Sequence, residues 1–447
     1  MNTRRPTRER ERRSGIVNVC HLRRFTGRGK RALLVITLAG ACAAASCGGA
    51  AGELSTRLDI PSRPPVEIHV RLQPEHTRQT ARYLSAARTT LAVYATRFGV
   101  MPFASLTVDD ASWPSGLSPD ASTVVASSRW LAPGLAMEPE IAVTRAVGAQ
   151  FWRKALSCEA DGGWFIDGLN QYTATPVIAS QFAVQQTPPA FSYAEGRYFG
   201  GFVPFVVRVP LLNATAGNGL ADYRLNPRVD GRRPLSDARD RRSAAAKTAL
   251  ALATLERWVG APTWDAVLEE FASRHWTRCP SPADLEQVAR DVTGLDLSWF
   301  FSPVFRSIDL FDYGIETLTS DWDSAGATYR TTVTVRRYGD AEFTGTSTPR
   351  AGAFESGRGM RILVAFDDGS ERLDFWDGRD RTKQFVYEST SPAESASIDP
   401  GEVLLLDTNR TNNSRLRTPE NRRASTKWAA RWAIWVQDLL LTWASLV

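Results

Sequence analysis

Hydrophobic positions switch between two periods along the chain, and the switch points outline its elements. Val66, Ile68 and Val70 recur every second residue, the spacing of a strand with one buried face, so a strand is expected over 66–72. Over 75–98, Ala81, Leu84, Leu91 and Tyr94 fall on one side of a helix. Short strands follow at 106–108 and 123–126, whereas 54–65 is polar, proline-punctuated and read as an irregular lead-in. Residues 139–172 read as helix, loop, helix. Ile141, Val147 and Phe151 recur near helical spacing, Gly162 and Gly163 interrupt, and the pattern resumes over 164–174. Residues 173–209 are rich in aromatics and glycine, and 213–240, rich in glycine and arginine, read as a loop or cover. Helices are predicted at 242–259, 263–276 and 281–293. The last opens on Ser281 with acidic residues three and five positions on, the chemistry of a capping box. From Tyr313 the period returns to two. Segments 329–338, 361–366, 370–376 and 382–387 alternate, Gly339, Gly369 and Gly378 mark turns, and 403–407 is expected as a last strand. Helices and strands segregated in this way predict an α+β chain ending in an antiparallel sandwich.

Several runs carry more than periodicity. Gln150-Phe151-Trp152 lies in the first helix of the pair, and Trp164-Phe165-Ile166-Asp167-Gly168-Leu169 with Tyr172 in the second. Lys247, Ala249 and Leu250 lie in the 242–259 helix, and Trp264, Asp265, Val267, Leu268 and Phe271 in the next. In order and spacing, from about residue 75 to 310, these resemble the gluzincin metallopeptidases of the membrane alanyl aminopeptidase family. The resemblance implies a thermolysin-like (gluzincin) domain with a helical subdomain over 51–310. The alternating segments give a β-sandwich over 311–408, which often follows the helical subdomain in this family, and composition gives a leader over 1–50, a polar linker over 409–426 and a hydrophobic helix over 427–447.

The family would imply zinc, held by H-E-x-x-H on the first helix and a glutamate in W-L-x-E-G on the second. In this chain Arg145 and Ala149 stand at the histidine positions, Ala146 at the general base and Asp167 at the third ligand. Ala245 stands where a tyrosine would stabilise the oxyanion, and 113–120 lacks the glutamate that would hold a peptide's amino terminus. Zinc takes lone pairs from imidazole, thiolate or carboxylate. Alanine has none to give, and a guanidinium is a donor only. No catalytic residue, metal site or cofactor is therefore expected. Arg145, Asp167, Trp152, Tyr172 and Lys247 are expected to line the former cleft, with Arg145 and Asp167 forming an ion pair in place of the metal. The four histidines suggest no other site, and no G-x-S-x-G, S-x-x-K, P-loop or G-x-G-x-x-G run occurs.

Charge changes the picture once it is divided. The chain carries +6, but residues 1–31 hold eleven Lys/Arg against two Glu, a net +9, leaving −3 for the rest. A nucleic-acid partner, which needs a basic folded face, is not expected. The basic run precedes an apolar, small-residue stretch at 32–47, as in an export signal, and Cys42 and Cys47 raise lipidation. Without the leader, Cys158 and Cys279 remain, and an oxidising compartment permits a disulfide. In 427–447, Lys427, Arg431, Asp438, Thr442 and Ser445 form a polar stripe, while Trp428, Trp432, Trp435 and Trp443 face elsewhere. An interfacial helix accommodates that stripe better than a span does. The expectation is an exported protein of the periplasm or the outer face of the cell membrane, touching membrane lipid through this tail. It would be without zinc-peptidase activity, binding a peptide or protein in the former cleft. An active hydrolase with a displaced site and a structural envelope protein are the alternatives.

Overall fold

The computed structural model describes residues 53–61, 63–110, 123–126, 138–157, 163–183, 240–345 and 359–419, with isolated positions besides. All belong to one compact unit, residues 49–447, distinct from residues 1–48. The expectations for the leader, for 113–120 and for nearly all of 184–239 fall outside the described residues.

A four-stranded sheet opens the fold in the order β1 (Glu53–Leu58), β2 (Val66–Arg71), β3 (Ser105–Asp110), β4 (Thr123–Ala126). Val66, Ile68 and Val70 are fully buried, as their alternation predicts. β3 runs parallel to β2, which requires a crossover; α1 (Thr80–Phe98), entered through a 3-10 turn at Pro74–Gln79, supplies it. β1 corrects the reading of 54–65 as irregular. It is an edge strand whose only buried residue is Leu58, so it lacks an alternating core face and is specified by pairing, Leu58 opposite Val66.

The helix pair forms as expected, α2 (Glu138–Leu156) and α3 (Gly163–Val177), and α1, α2 and α3 pack together. Tyr94 and Phe98 of α1 meet Phe151 and Trp152 of α2, with the Phe98 and Trp152 rings 4.7 Å apart. Next come α4 (Arg241–Val259), α5 (Ala261–Arg274), α6 (Pro282–Thr293) and the single turn α7 (Ser298–Phe301). The capping box of α6 forms: Asp284 N donates to the Ser281 hydroxyl, and the Asp284 carboxylate accepts from Ser281 N at 2.7 Å.

Two antiparallel sheets follow, β5 (Tyr313–Asp323), β6 (Thr328–Arg337) and β9 (Thr382–Ser389) in one. The other has the order β11 (Ser414–Leu416), β10 (Ala393–Ile398), β7 (Met360–Phe366), β8 (Glu371–Trp376). The chain is thus α+β with antiparallel sheets. The strand expected at 403–407 does not form. Leu404 and Leu406 are buried, but the backbone is spent locally: Asp399 accepts from Val403 N and Leu404 N, and Leu405 N reaches Thr254 of α4. Only Asp407 bridges, to Phe311. Among the described residues the last strand is β11, inside the stretch that composition reads as linker. Among the described residues no helix is long and apolar enough to cross a membrane. Trp432 of the tail is 64% exposed, and Trp428, Trp435 and Trp443 lie outside the described residues.

Candidate functional site

Arg145, Ala149 and Arg153 succeed one another four residues apart on α2 and so share one face. Two glycines let α3 pack closely, Gly148 against α2 and Gly168 against α4. A Cβ on Gly148 would stand 2.4 Å from Asn170 Oδ1, and one on Gly168 2.4 Å from Thr248 Cβ of α4. The crossing is pinned where Asn170 Nδ2 donates to the Arg145 carbonyl at 3.0 Å. Arg145, Ala146 and Ala149 are each half-buried on α2, and burial pushes the Arg145 guanidinium below its ordinary pKa.

Asp167 projects from the first turns of α3, and its carboxylate meets Arg153 at 3.1 Å. The ion pair expected between Arg145 and Asp167 is thus realised two turns further along the same face. Arg153 is the residue that sequence reasoning missed, and its signal was the i, i+4 relation to Ala149. Both partners are well exposed, so the pair contributes little to stability.

The remaining expected cleft residues do not gather there. Trp152 is wholly buried and donates through Nε1 to Thr173 Oγ1 at 3.0 Å, and Thr173 also meets the Tyr94 hydroxyl. It is a core residue. Tyr172 is buried in a polar cluster, its hydroxyl donating to Glu256 of α4 at 2.7 Å while Arg97 of α1 approaches at 3.4 Å. Arg97 in turn holds Asp265 of α5 at 2.6 Å. Burial, then the Glu256 charge, raise the Tyr172 phenol well above its usual pKa. Burial works to lower Arg97, but Tyr172 and Asp265 outweigh it and hold the guanidinium above its ordinary range. Tyr172 therefore links α1, α3 and α4 as a neutral donor. The sequence concealed this cluster because its members come from segments far apart in the chain. Lys247 and Ala245 are buried within α4, and the Ala245 carbonyl would lie 2.9 Å from a Cβ on Gly168.

As a site for zinc, this face offers a guanidinium, two methyl groups and one carboxylate engaged by an arginine, a donor set that does not fit the metal. Among the described residues no three His, Cys, Asp or Glu side chains gather as a metal ion would need. Cys279 is disulfide-bonded.

The chain is similar to the crystal structure of Legionella pneumophila aminopeptidase A in complex with aspartic acid. The identity is 14%, the TM-score is 0.50, and the match covers 79% of this chain. The chain spans 38% of the length of that structure. At this identity the likeness supports a peptidase-like fold. No family model matches the chain, and no curated protein does.

Proposed function

We propose that this chain is a gluzincin-type aminopeptidase relative without zinc-peptidase chemistry, serving as a binding or scaffolding module of the cell envelope. The observation that supports this most directly is the face of α2 opposite Asp167. Arg145 and Ala149 stand where two imidazoles would be needed, and Ala146 leaves no side chain to deprotonate a water. Ala245 removes the oxyanion donor from α4. The helix packing is nonetheless kept, with Gly148 admitting α3 against α2, Gly168 admitting α3 against α4, and Arg153 engaging Asp167. In this reading a peptide or protein ligand occupies the former cleft, lying along a face that carries Arg145 and the Arg153–Asp167 pair. An exported location fits the signal-like leader and the disulfide at Cys279, since such bonds persist in oxidising compartments. The tryptophan-bearing segment 427–447 supplies the contact with membrane lipid.

Metal analysis of the purified full chain, paired with aminoacyl reporter substrates, tests the chemistry. The expected result is no stoichiometric zinc and no turnover above the buffer blank. One equivalent of tightly held zinc with reporter cleavage would overturn the proposal in favour of an active enzyme. Recovery of bound partners from membranes, with and without residues 427–447, tests the scaffold and the anchor together. Loss of membrane association on deletion is expected.

A further inference from the structure

The two sheets of the sandwich turn different faces outward. In the sheet β5–β6–β9 the inner side carries Leu318, Val333 and Phe385. Its outer rows pair Thr319 with Thr332 and Val386, and Asp321 with Arg330 and Glu388. That is a solvated surface. In the other sheet Ile362, Val364 and Phe366 of β7 are buried, so Arg361, Leu363 and Ala365 between them face out. Register extends this outer face across all four strands. Leu363 stands between Leu373 of β8 and Ser397 of β10, and Ser395 between Ala365 and Leu416 of β11. Phe375 lies beside Arg361 at one end and Glu371 beside Ala365 at the other, so the middle is apolar or small and uncharged. Leu373 is 50% exposed and Leu416 42%.

Contiguous exposed apolar surface marks a contact site, and the chain that follows the face points to the chemistry of its partner. β11 is an edge strand of this sheet, with Leu416 on the face. Residues 417–426, which span about 30 Å when extended, then lead to the tryptophan-bearing segment. Its described positions Ala429, Trp432, Ala433 and Val436 are helical, and Trp432 is 64% exposed. A basic run joins face and helix. Residues 415–431 hold five Arg and one Lys against Glu420, a net +5. Residues 32–447 sum to −3, so those outside the run carry −8 (−3 − 5), and the run is a local exception. One of its members, Arg417, is held by Asp367 at 2.8 Å.

We propose that the outer face of the sheet β11–β10–β7–β8 rests on an anionic lipid surface beside the C-terminal helix, so that helix, basic run and sheet form one membrane-contacting side. The inference rests on the membrane contact proposed for 427–447 and adds an orientation to it, with the sheet β5–β6–β9 turned away from the bilayer. Leucines gain by leaving water for the headgroup boundary, and basic residues near an anionic surface add attraction. Peripheral contact is stable when two such signals act together. The threonine and charged rows of the opposite sheet offer neither. A protein partner would suit the leucines alone; the cationic run beside them matches the phosphates of a headgroup layer.

Flotation of the full chain with phosphatidylglycerol-rich and with pure phosphatidylcholine vesicles tests this. The parent is expected to partition onto the anionic vesicles and at least about tenfold more weakly onto the neutral ones. Leu373→Glu combined with Leu416→Glu should weaken partitioning at least about tenfold. Thr319→Glu with Thr332→Glu, on the far sheet and screened by salt, should change it less than about threefold. A lipid-soluble carbene reagent in the vesicles, applied to the unaltered chain, should mark residues 361–375 and leave 328–337 clear, a readout that stands even if a variant fails to fold. Flotation lost on deletion of 427–447 but untouched by the leucine variant, with 361–375 unmarked, overturns this face and leaves the tail contact intact. No flotation of the parent removes both. A parent that is dimeric without vesicles, and made monomeric by the leucine variant, assigns the face to a second copy and overturns the proposal as well.

Discussion

Arg337 shows how one side chain can organise a sandwich edge. It is almost fully buried, and its donors reach the carbonyls of Gly339, Asp340, Gly378 and Arg379 and the Glu342 carboxylate, all at 3.0–3.1 Å. Five donors thus meet five acceptors, and the two turns around 339 and 378 are held to one another. Lysine has three donors on a point charge. Arg337→Ala is expected to cost about 3–5 kcal/mol and Arg337→Lys about half of that, read by urea unfolding. A lysine variant within about 0.5 kcal/mol of the parent would show that the charge alone matters. Asp407 makes the opposite case. Burial is the main cause that lifts its carboxyl to about 6, and the Asp312 charge adds to it despite bonds from Asn409 N and Asn413 Nδ2. A carboxyl whose pKa is raised by folding favours the protonated form in the native state. Its contribution is therefore fully present only below the ordinary value of 3.8 and is lost as the pH rises through about 6. The loss is on the order of 2–3 kcal/mol. Asp407→Asn should remove that slope, so the stability difference between parent and variant should shift in the variant's favour from pH 4 to pH 6, in paired denaturation curves.

Elements in this chain are positioned by what small residues allow. Gly168 sits mid-helix, where glycine is unfavourable, because a Cβ there would fall 2.4 Å and 2.6 Å from Thr248 Cβ and Cγ2 and 2.9 Å from the Ala245 carbonyl. Neither a β-branched side chain nor a helix backbone can step aside. Gly168→Ala should push α3 from α4 and cost about 2–3 kcal/mol, despite the better helix former, and a thermal melt unchanged or raised would contradict this. The same physics explains what was legible. Elements with a continuous buried face, such as α1, α4 and β7, announce themselves by period, and α6 also by its cap. β1, β10 and β11 do not, because pairing specifies them and their exposed or small residues carry weak alternation. Leu404 and Leu406 misled for the converse reason: alternation reports burial, and here burial came without a ladder. At the candidate site, spacing put Arg145 and Ala149 on one face of α2, but it did not show that Asp167 of α3 would meet Arg153, and Trp152 and Tyr172 could not be sorted into core or cleft. That distinction depends on α1 and α4, whose partners Arg97 and Glu256 are distant in sequence.

At the scale of the whole molecule, the boundary expected near residue 310 runs through a shared core. Trp299 and Phe300, from the last helical turn, meet Phe343 beyond β6, with ring centroids 5.0 Å and 6.3 Å away, and Phe343 also meets Phe311 at 6.2 Å. Trp299 in turn packs edge-on against Trp258 at the end of α4, 5.2 Å away. Hydrogen bonds cross the same boundary, from Leu405 N to Thr254 and from Arg257 to the Glu402 carbonyl. Such edge-to-face contacts add to the burial of the rings themselves. The helical part and the sandwich should therefore unfold together rather than as separate domains. Phe343 is 1% exposed, so Phe343→Ala should cost about 3–5 kcal/mol. The cost should appear equally in probes of either part. Far-UV circular dichroism, dominated by the helices, and proteolysis at the sandwich turns should report one shared midpoint that shifts as a unit. Two separate midpoints, with only the sandwich transition moving, would mean that the aromatic seam is a contact between independent domains.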